Sequence, residues 1–166
     1  DHLGAKLALG TLALAQGQSE AAITWANDLV SAHADDPGGY TLRADVAMRE
    51  DRFPDAEVGY RASMDVEPTT GALLGLFRAL SAQNRVDDGR AEFQGWLEER
   101  PNDASVHFAL ATVDLQQGNK QAAAERYARV IALDATHTAS LNNLALLKDE
   151  LGSSLEALAL AKRAFE

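Results

Sequence analysis

A chain of 166 residues, 46% hydrophobic and 24% charged, has the length and balance of about one globular domain rather than of a disordered segment. Its formal net charge of −10, from 25 acidic against 15 scattered basic residues, argues against nucleic acid as a partner, because phosphate binding needs clustered lysine and arginine. Cysteine is absent, which excludes a disulfide framework, a thiolate nucleophile and a cysteine metal site.

Alanine fills about a fifth of the positions and only four are proline. Alanine loses no side-chain entropy in a helix, so this composition predicts an all-α protein with closely approaching helices. The chain opens at Asp1 with no methionine, basic leader or small-residue cleavage site, which reads as a fragment of a longer chain or a processed product. Its longest early uncharged stretch, residues 7–19, falls short of the ~20 apolar residues that span a bilayer, so no membrane insertion by this segment is expected.

From the first residues onward the sequence repeats itself. Ala22, Ala56, Gly89, Ala123 and Ala157 follow one another at steps of 34, 33, 34 and 34. Five residues before each stands a turn-like residue: Gly17, Asp51, Asn84, Gly118 and Gly152. Twelve before each stands Gly10, Ala44, Phe77, Ala111 or Ala145, and four after each comes Ala26, Tyr60, Phe93, Tyr127 or Ala161. A fixed period of this length signals stacked helical units. The units read as 3–36, 37–69, 70–103, 104–137 and a truncated 138–166, together one solenoid domain over 1–166, each with a first helix (A), a short turn and a second helix (B).

Within the third unit the small-residue rule inverts, with Phe77 in the glycine-or-alanine column and Gly89 in the alanine column. A large residue facing glycine reads as compensation, so the Phe77 ring is expected over the Gly89 backbone. Gly71 and Gly75 in the same unit have the GxxxG spacing of close helix contacts, here in a water-soluble helix. The fourth unit is the most regular. Val106, Leu110, Ala111 and Val113 should form the packing face of its A helix, and Ala123, Tyr127, Val130 and Ile131 that of its B helix. Asp103 or Ser105 is expected to cap the A helix, and Asn119 the B helix. The fifth unit ends in "LEALALAKRAF", which supplies no polar cap; either a continuing chain or self-association through this terminal helix would cover it.

The segment "VHFALATVDLQQGNKQAAAERYARVIALDATH" and its counterparts resemble the tetratricopeptide repeat, and the resemblance covers nearly the whole chain. It implies an α-α superhelix, a solenoid of tandem helix-turn-helix hairpins, whose A helices line a concave groove for a protein or peptide partner. Carried across column by column, the groove positions are Leu7, Thr11 and Leu14; Thr41, Asp45, Met48 and Arg49; Leu74, Arg78 and Ser81; Phe108, Thr112, Leu115 and Gln116; and Asn142, Leu146 and Asp149. This mix of apolar contacts and isolated charges suits an extended peptide or a partner helix, with Arg49 and Arg78 placed to hold a carboxylate. The family's clamp for chaperone tails is not matched, since Leu7, Thr11, Thr41 and Asp45 occupy its positions.

Catalytic chemistry finds no support. His2, His33, His107 and His137 form neither HxxxH nor HExxH spacing, His33 with Asp35 and Asp36 and His137 with Asp134 sit in turn-forming stretches, and no phosphate loop or nucleophile elbow is present. The expectation is a non-enzymatic scaffold without cofactor or metal; the alternative is a recruiting or regulatory segment of a larger enzyme such as a transferase. An arginine excess over lysine and the abundant alanine fit a bacterial protein. "LNNLALLKDELGSSLEALALAKRAFE" resembles the C-terminal repeats of bacterial proteins of exopolysaccharide export and PEP-CTERM surface sorting, which implies a periplasmic or envelope-associated location.

Overall fold

A computed structural model describes residues 2–165; Asp1 and Glu166 lie outside the described residues. Among these the regular structure is all α: α1 (Leu3–Ala15), α2 (Ser19–Ala32), α3 (Pro37–Arg49), α4 (Phe53–Val66), α5 (Thr70–Ala82), α6 (Val86–Glu99), α7 (Ala104–Gln116), α8 (Lys120–Leu133), α9 (Thr138–Glu150) and α10 (Ser154–Phe165). The chain forms two compact units, 1–92 and 93–166, the boundary falling within α6.

The turn inside each hairpin has one geometry. Gly17, Asp51, Asn84, Gly118 and Gly152 all adopt positive φ, from 56° at Asp51 to 85° at Gly152. The following N–H then reaches back five residues: Gln18 to Ala13, Arg52 to Ala47, Arg85 to Leu80, Asn119 to Asp114 and Ser153 to Lys148, at 2.7–2.9 Å. This is a Schellman C-cap, in which a left-handed residue closes the orphan carbonyls of the first helix. Glycine adopts that conformation freely; asparagine and aspartate are the residues that tolerate it next best.

Between hairpins the device changes from backbone to side chain. Asp36 accepts from the Gly38 N–H, Thr69 from Ala72, Asp103 from Ser105 and Val106, and the His137 Nδ1 from Ser140, each satisfying donors that a helix start leaves open. Asp103 is thus the cap of α7. Asn119 does not cap α8: its side chain makes no cap bond and its backbone sits at φ −80°, ψ 59°. Its N–H is committed to the Schellman turn, and the backbone lacks the extended conformation from which a side chain reaches the first helical N–H groups.

In the first unit the core is built where the small columns meet. Ala13, Ala22 and Val46 form one cluster, Ala26, Leu29 and Leu42 a second, and Ala44, Ala47, Ala56, Tyr60, Leu76, Ala79 and Leu80 a third. At the inverted position, a Cβ added to Gly89 would stand 2.6 Å from Phe77 Cδ2, so the phenylalanine ring does lie on the glycine backbone. Gly75 packs against the Tyr60 ring, whereas Gly71 faces open space.

The core of the second unit gathers Ala111, Ala123, Ala124, Tyr127, Ile131, Leu141, Leu144 and Leu147. Among the described residues of this unit two polar ones are fully buried, Ser140 and Asp114, the latter accepting from Arg126 Nε at 2.8 Å. On α10, Leu155, Leu158 and Phe165 are 87%, 55% and 96% exposed and form an apolar surface.

Candidate functional site

The A helices of the first unit place their candidate residues in unequal circumstances. On α1, Leu7 and Leu14 are half-buried against the cluster of Ala26, Leu29 and Leu42, and the exposed Thr11 turns its hydroxyl back to the Leu7 carbonyl at 2.9 Å. On α3 the Thr41 hydroxyl is held by Ser63 Oγ at 2.7 Å and the Pro37 carbonyl at 3.1 Å. Met48 packs on the core beside Leu76 and Leu80. Arg49 lies exposed over the Gly17 turn.

Asp45 and Arg78, from α3 and α5, are brought together by a residue the column pattern marked only as aromatic. The Tyr60 hydroxyl of α4 donates to Asp45 Oδ1 at 2.5 Å, with the Arg78 guanidinium also bearing on it. Burial of the ring and the adjacent carboxylate push the Tyr60 hydroxyl well above its ordinary value, with Arg78 opposing them. The phenol therefore stays protonated and orients Asp45. Beside this cluster stand half-buried Leu74 and Ser81, whose hydroxyl is buried without a hydrogen-bond partner.

In the second unit the corresponding tyrosine plays the same part in a less charged setting. Tyr127 stands within 3.3 Å of Thr112 Oγ1 and its ring lies 5.6 Å from that of Phe108, which in turn meets His137 at 5.0 Å. Tilted aromatic pairs at such spacings are favourable. Leu115 packs at the edge of the core, Gln116 and Asn142 are exposed, and Leu146 is 67% exposed. Asp149 accepts from Ser154 Oγ at 2.7 Å.

The A helices of the first unit thus carry Arg49, Arg78 and an oriented Asp45, and those of the second carry aromatic, aliphatic and amide groups together with Asp149. Tyr60, Tyr127, Ser63 and His137 were not candidates by sequence. For the two tyrosines the available signal was a hydroxyl in the column that holds Ala26, Phe93 and Ala161 elsewhere.

His107 is half-buried with Nε2 3.0 Å from the Pro101 carbonyl, a packing residue of the inter-hairpin turn. Among the described residues, no group of three or more His, Asp or Glu is placed to hold a metal ion, and no helix is long and apolar enough to cross a membrane.

The tetratricopeptide repeat family pattern matches residues 74–137. The fold is similar to that of pilF from Pseudomonas aeruginosa, at 18% identity and a TM-score of 0.82 over 98% of this chain and 74% of that one. It is also similar to MamA, at 17% and 0.72 over 95% and 92%. A third likeness is to YrrB, described as a TPR protein with an unusual peptide-binding site, at 15% and 0.62 over 96% and 82%. No curated protein sequence matches.

Proposed function

From a chain built of tetratricopeptide repeats, we propose a non-enzymatic scaffold that binds a peptide or partner helix on its A-helix face. The observation that carries this reading is the cluster on α3, α4 and α5, where Tyr60 holds Asp45 in place beside Arg78. An orienting hydrogen bond lowers the entropy lost when a partner's polar groups are met. Half-buried Leu74 and Met48 beside it supply apolar area, and a guanidinium takes a carboxylate bidentately. The peptide-binding site attributed to YrrB supports the same use of the fold.

The reading extends to a bacterial envelope or assembly complex, on the resemblance of residues 141–166 to repeats of that setting. Replacing Arg49 and Arg78 together by Glu tests the face in a pull-down from the native host. Partner recovery is expected to drop at least tenfold, and unchanged recovery would remove both residues from the account.

A further inference from the structure

Away from the A-helix groove positions, the first unit holds a cleft of about 580 Å³ lined by α2, α3 and α4. Its α3 residues are Tyr40, Arg43 and Ala47, spaced three and four apart. At 3.6 residues per turn they lie roughly 130° around the helix from Thr41, Asp45 and Met48. This surface is therefore separate from the one assigned to the partner above.

Two departures from the repeat explain why space remains there. The column of Arg43 holds Leu9, Leu76, Leu110 and Leu144 in the other repeats, and Leu76 is 1% exposed, filling the equivalent place beside Ala56 and Tyr60. Arg43 instead points its charge to solvent and leaves that volume open. The column of Gly59 holds Trp25, Glu92, Arg126 and Leu160. A Cβ at Gly59 would stand 2.9 Å from the Ala44 Cβ and 3.2 Å from its backbone, so the close approach of α4 to α3 keeps this position bare.

The lining that results sets apolar Ile23, Ala47, Val58 and Ala62 among polar Asn27 and Tyr40 and charged Arg43, Arg52 and Asp55. Arg52 is already held between two carboxylates, Glu50 at 2.8 Å and Asp55 at 2.5 Å, so that group carries one excess negative charge and offers nothing to a further anion. Arg43 has no hydrogen bond or ion pair among the described residues. In a chain with 25 acidic against 15 basic side chains, a guanidinium left without a carboxylate beside the apolar side chains of a cleft calls for one from outside. The lining runs from Arg52, the residue before α4, to Ala62 on it, about 15 Å at the helical rise, which matches an extended segment of roughly four residues passing through.

We propose that this cleft is a second binding site, for an acidic peptide segment that lays a leucine-sized side chain over Ala47 and Ala62 and sets the neighbouring carboxylate on Arg43.

Two capped peptides test it by amide-shift titration of the 166-residue chain: acetyl-Ala-Leu-Glu-Ala-amide and its Gln analogue. The Glu peptide is expected to give saturable shifts at Ala47, Val58, Gly59 and Ala62, and the Gln analogue to bind about tenfold more weakly. Arg43→Gln should lower affinity for the Glu peptide by the same factor and leave the Gln analogue unaffected. Arg43→Leu restores the residue of the other repeats, so it should fill the cleft, keep the fold and abolish binding of both. Equal affinity for the two peptides, full binding by the Arg43→Gln protein, or shifts confined to residues around Arg78 would each overturn the proposal, the last while leaving the A-helix reading intact.

Discussion

Phe77 and Gly89 exchange the roles that small residues share elsewhere, and the exchange is a pairwise constraint. With 2.6 Å between Phe77 Cδ2 and a Cβ at position 89, even alanine there forces the ring to move. Gly89→Leu is expected to cost about 1–3 kcal/mol by overpacking. Phe77→Ala alone should be destabilising through lost burial, whereas Phe77→Ala combined with Gly89→Ala recreates the pair found at Ala44 and Ala56 and gains roughly 1 kcal/mol of helix propensity. Urea denaturation of Phe77→Ala, Gly89→Ala and the double variant that combines them should give a coupling above about 1 kcal/mol. Strict additivity would mean the two positions do not share a contact. The same scale explains why Asp114 survives buried in a column that holds Ala13, Ala47 and Leu80 in the first three repeats and Lys148 in the fifth: Arg126 answers its charge at 2.8 Å, and a buried carboxylate without such a partner is strongly destabilising.

At the scale of the helices, Glu57 ties α4 to the turn that leads into α6. It accepts from Gln83 Nε2 at 3.0 Å, Arg61 Nε at 3.2 Å and Arg85 Nη1 at 2.7 Å, while Arg61 also reaches Glu92 at 2.9 Å. Burial pushes the Glu57 carboxyl upward, yet the Gln83 and Arg61 hydrogen bonds and the Arg85 charge outweigh it, and the value lies below the ordinary 4.5. A lowered carboxyl contributes stability that is fully present above its unfolded value and is lost as pH falls through the folded one. Glu57→Gln should therefore be less stable than the parent by about 1 kcal/mol near neutrality, the arginines being exposed enough to screen the pairs. The two should converge below pH 4.5. A constant difference across that range in urea melts would mean that the ion pairs contribute nothing. The cap devices belong to this scale too. They alternate, side chain before the A helices α3, α5, α7 and α9 and left-handed backbone before the B helices, and this alternation is why Asp103 caps its helix and Asn119 does not.

For the molecule as a whole, stability is expected to be the sum of hairpins and of contacts between neighbours, divided here over the units 1–92 and 93–166. Trp25 lies in the first and Trp96 in the second, where its Nε1 donates to Asp103 at 2.9 Å and Arg100 sits 4.0 Å over its ring. Each tryptophan thus reports one unit. Trp25→Phe and Trp96→Phe variants followed by fluorescence in urea are expected to show transitions whose midpoints do not coincide. Coincident curves that also match circular dichroism would establish a single cooperative transition.

The period, the helix and turn positions and the close contacts were legible in the residues because each rests on short-range rules. A left-handed turn residue, a cap and a pair of small residues recur at fixed spacings, and Gly17, Asp51, Asn84, Gly118 and Gly152 identify themselves by conformational preference alone. Which side chains stay available on the surface was decided only by the tertiary structure. Thr41 is consumed by Ser63, Asp45 is oriented by Tyr60 beside Arg78, and Asn119 is spent on a backbone turn. The cleft beside Arg43 exists because volume missing at two columns of one repeat adds up between three helices. Such outcomes depend on sums of distance and volume over residues far apart in the chain, which no local pattern contains.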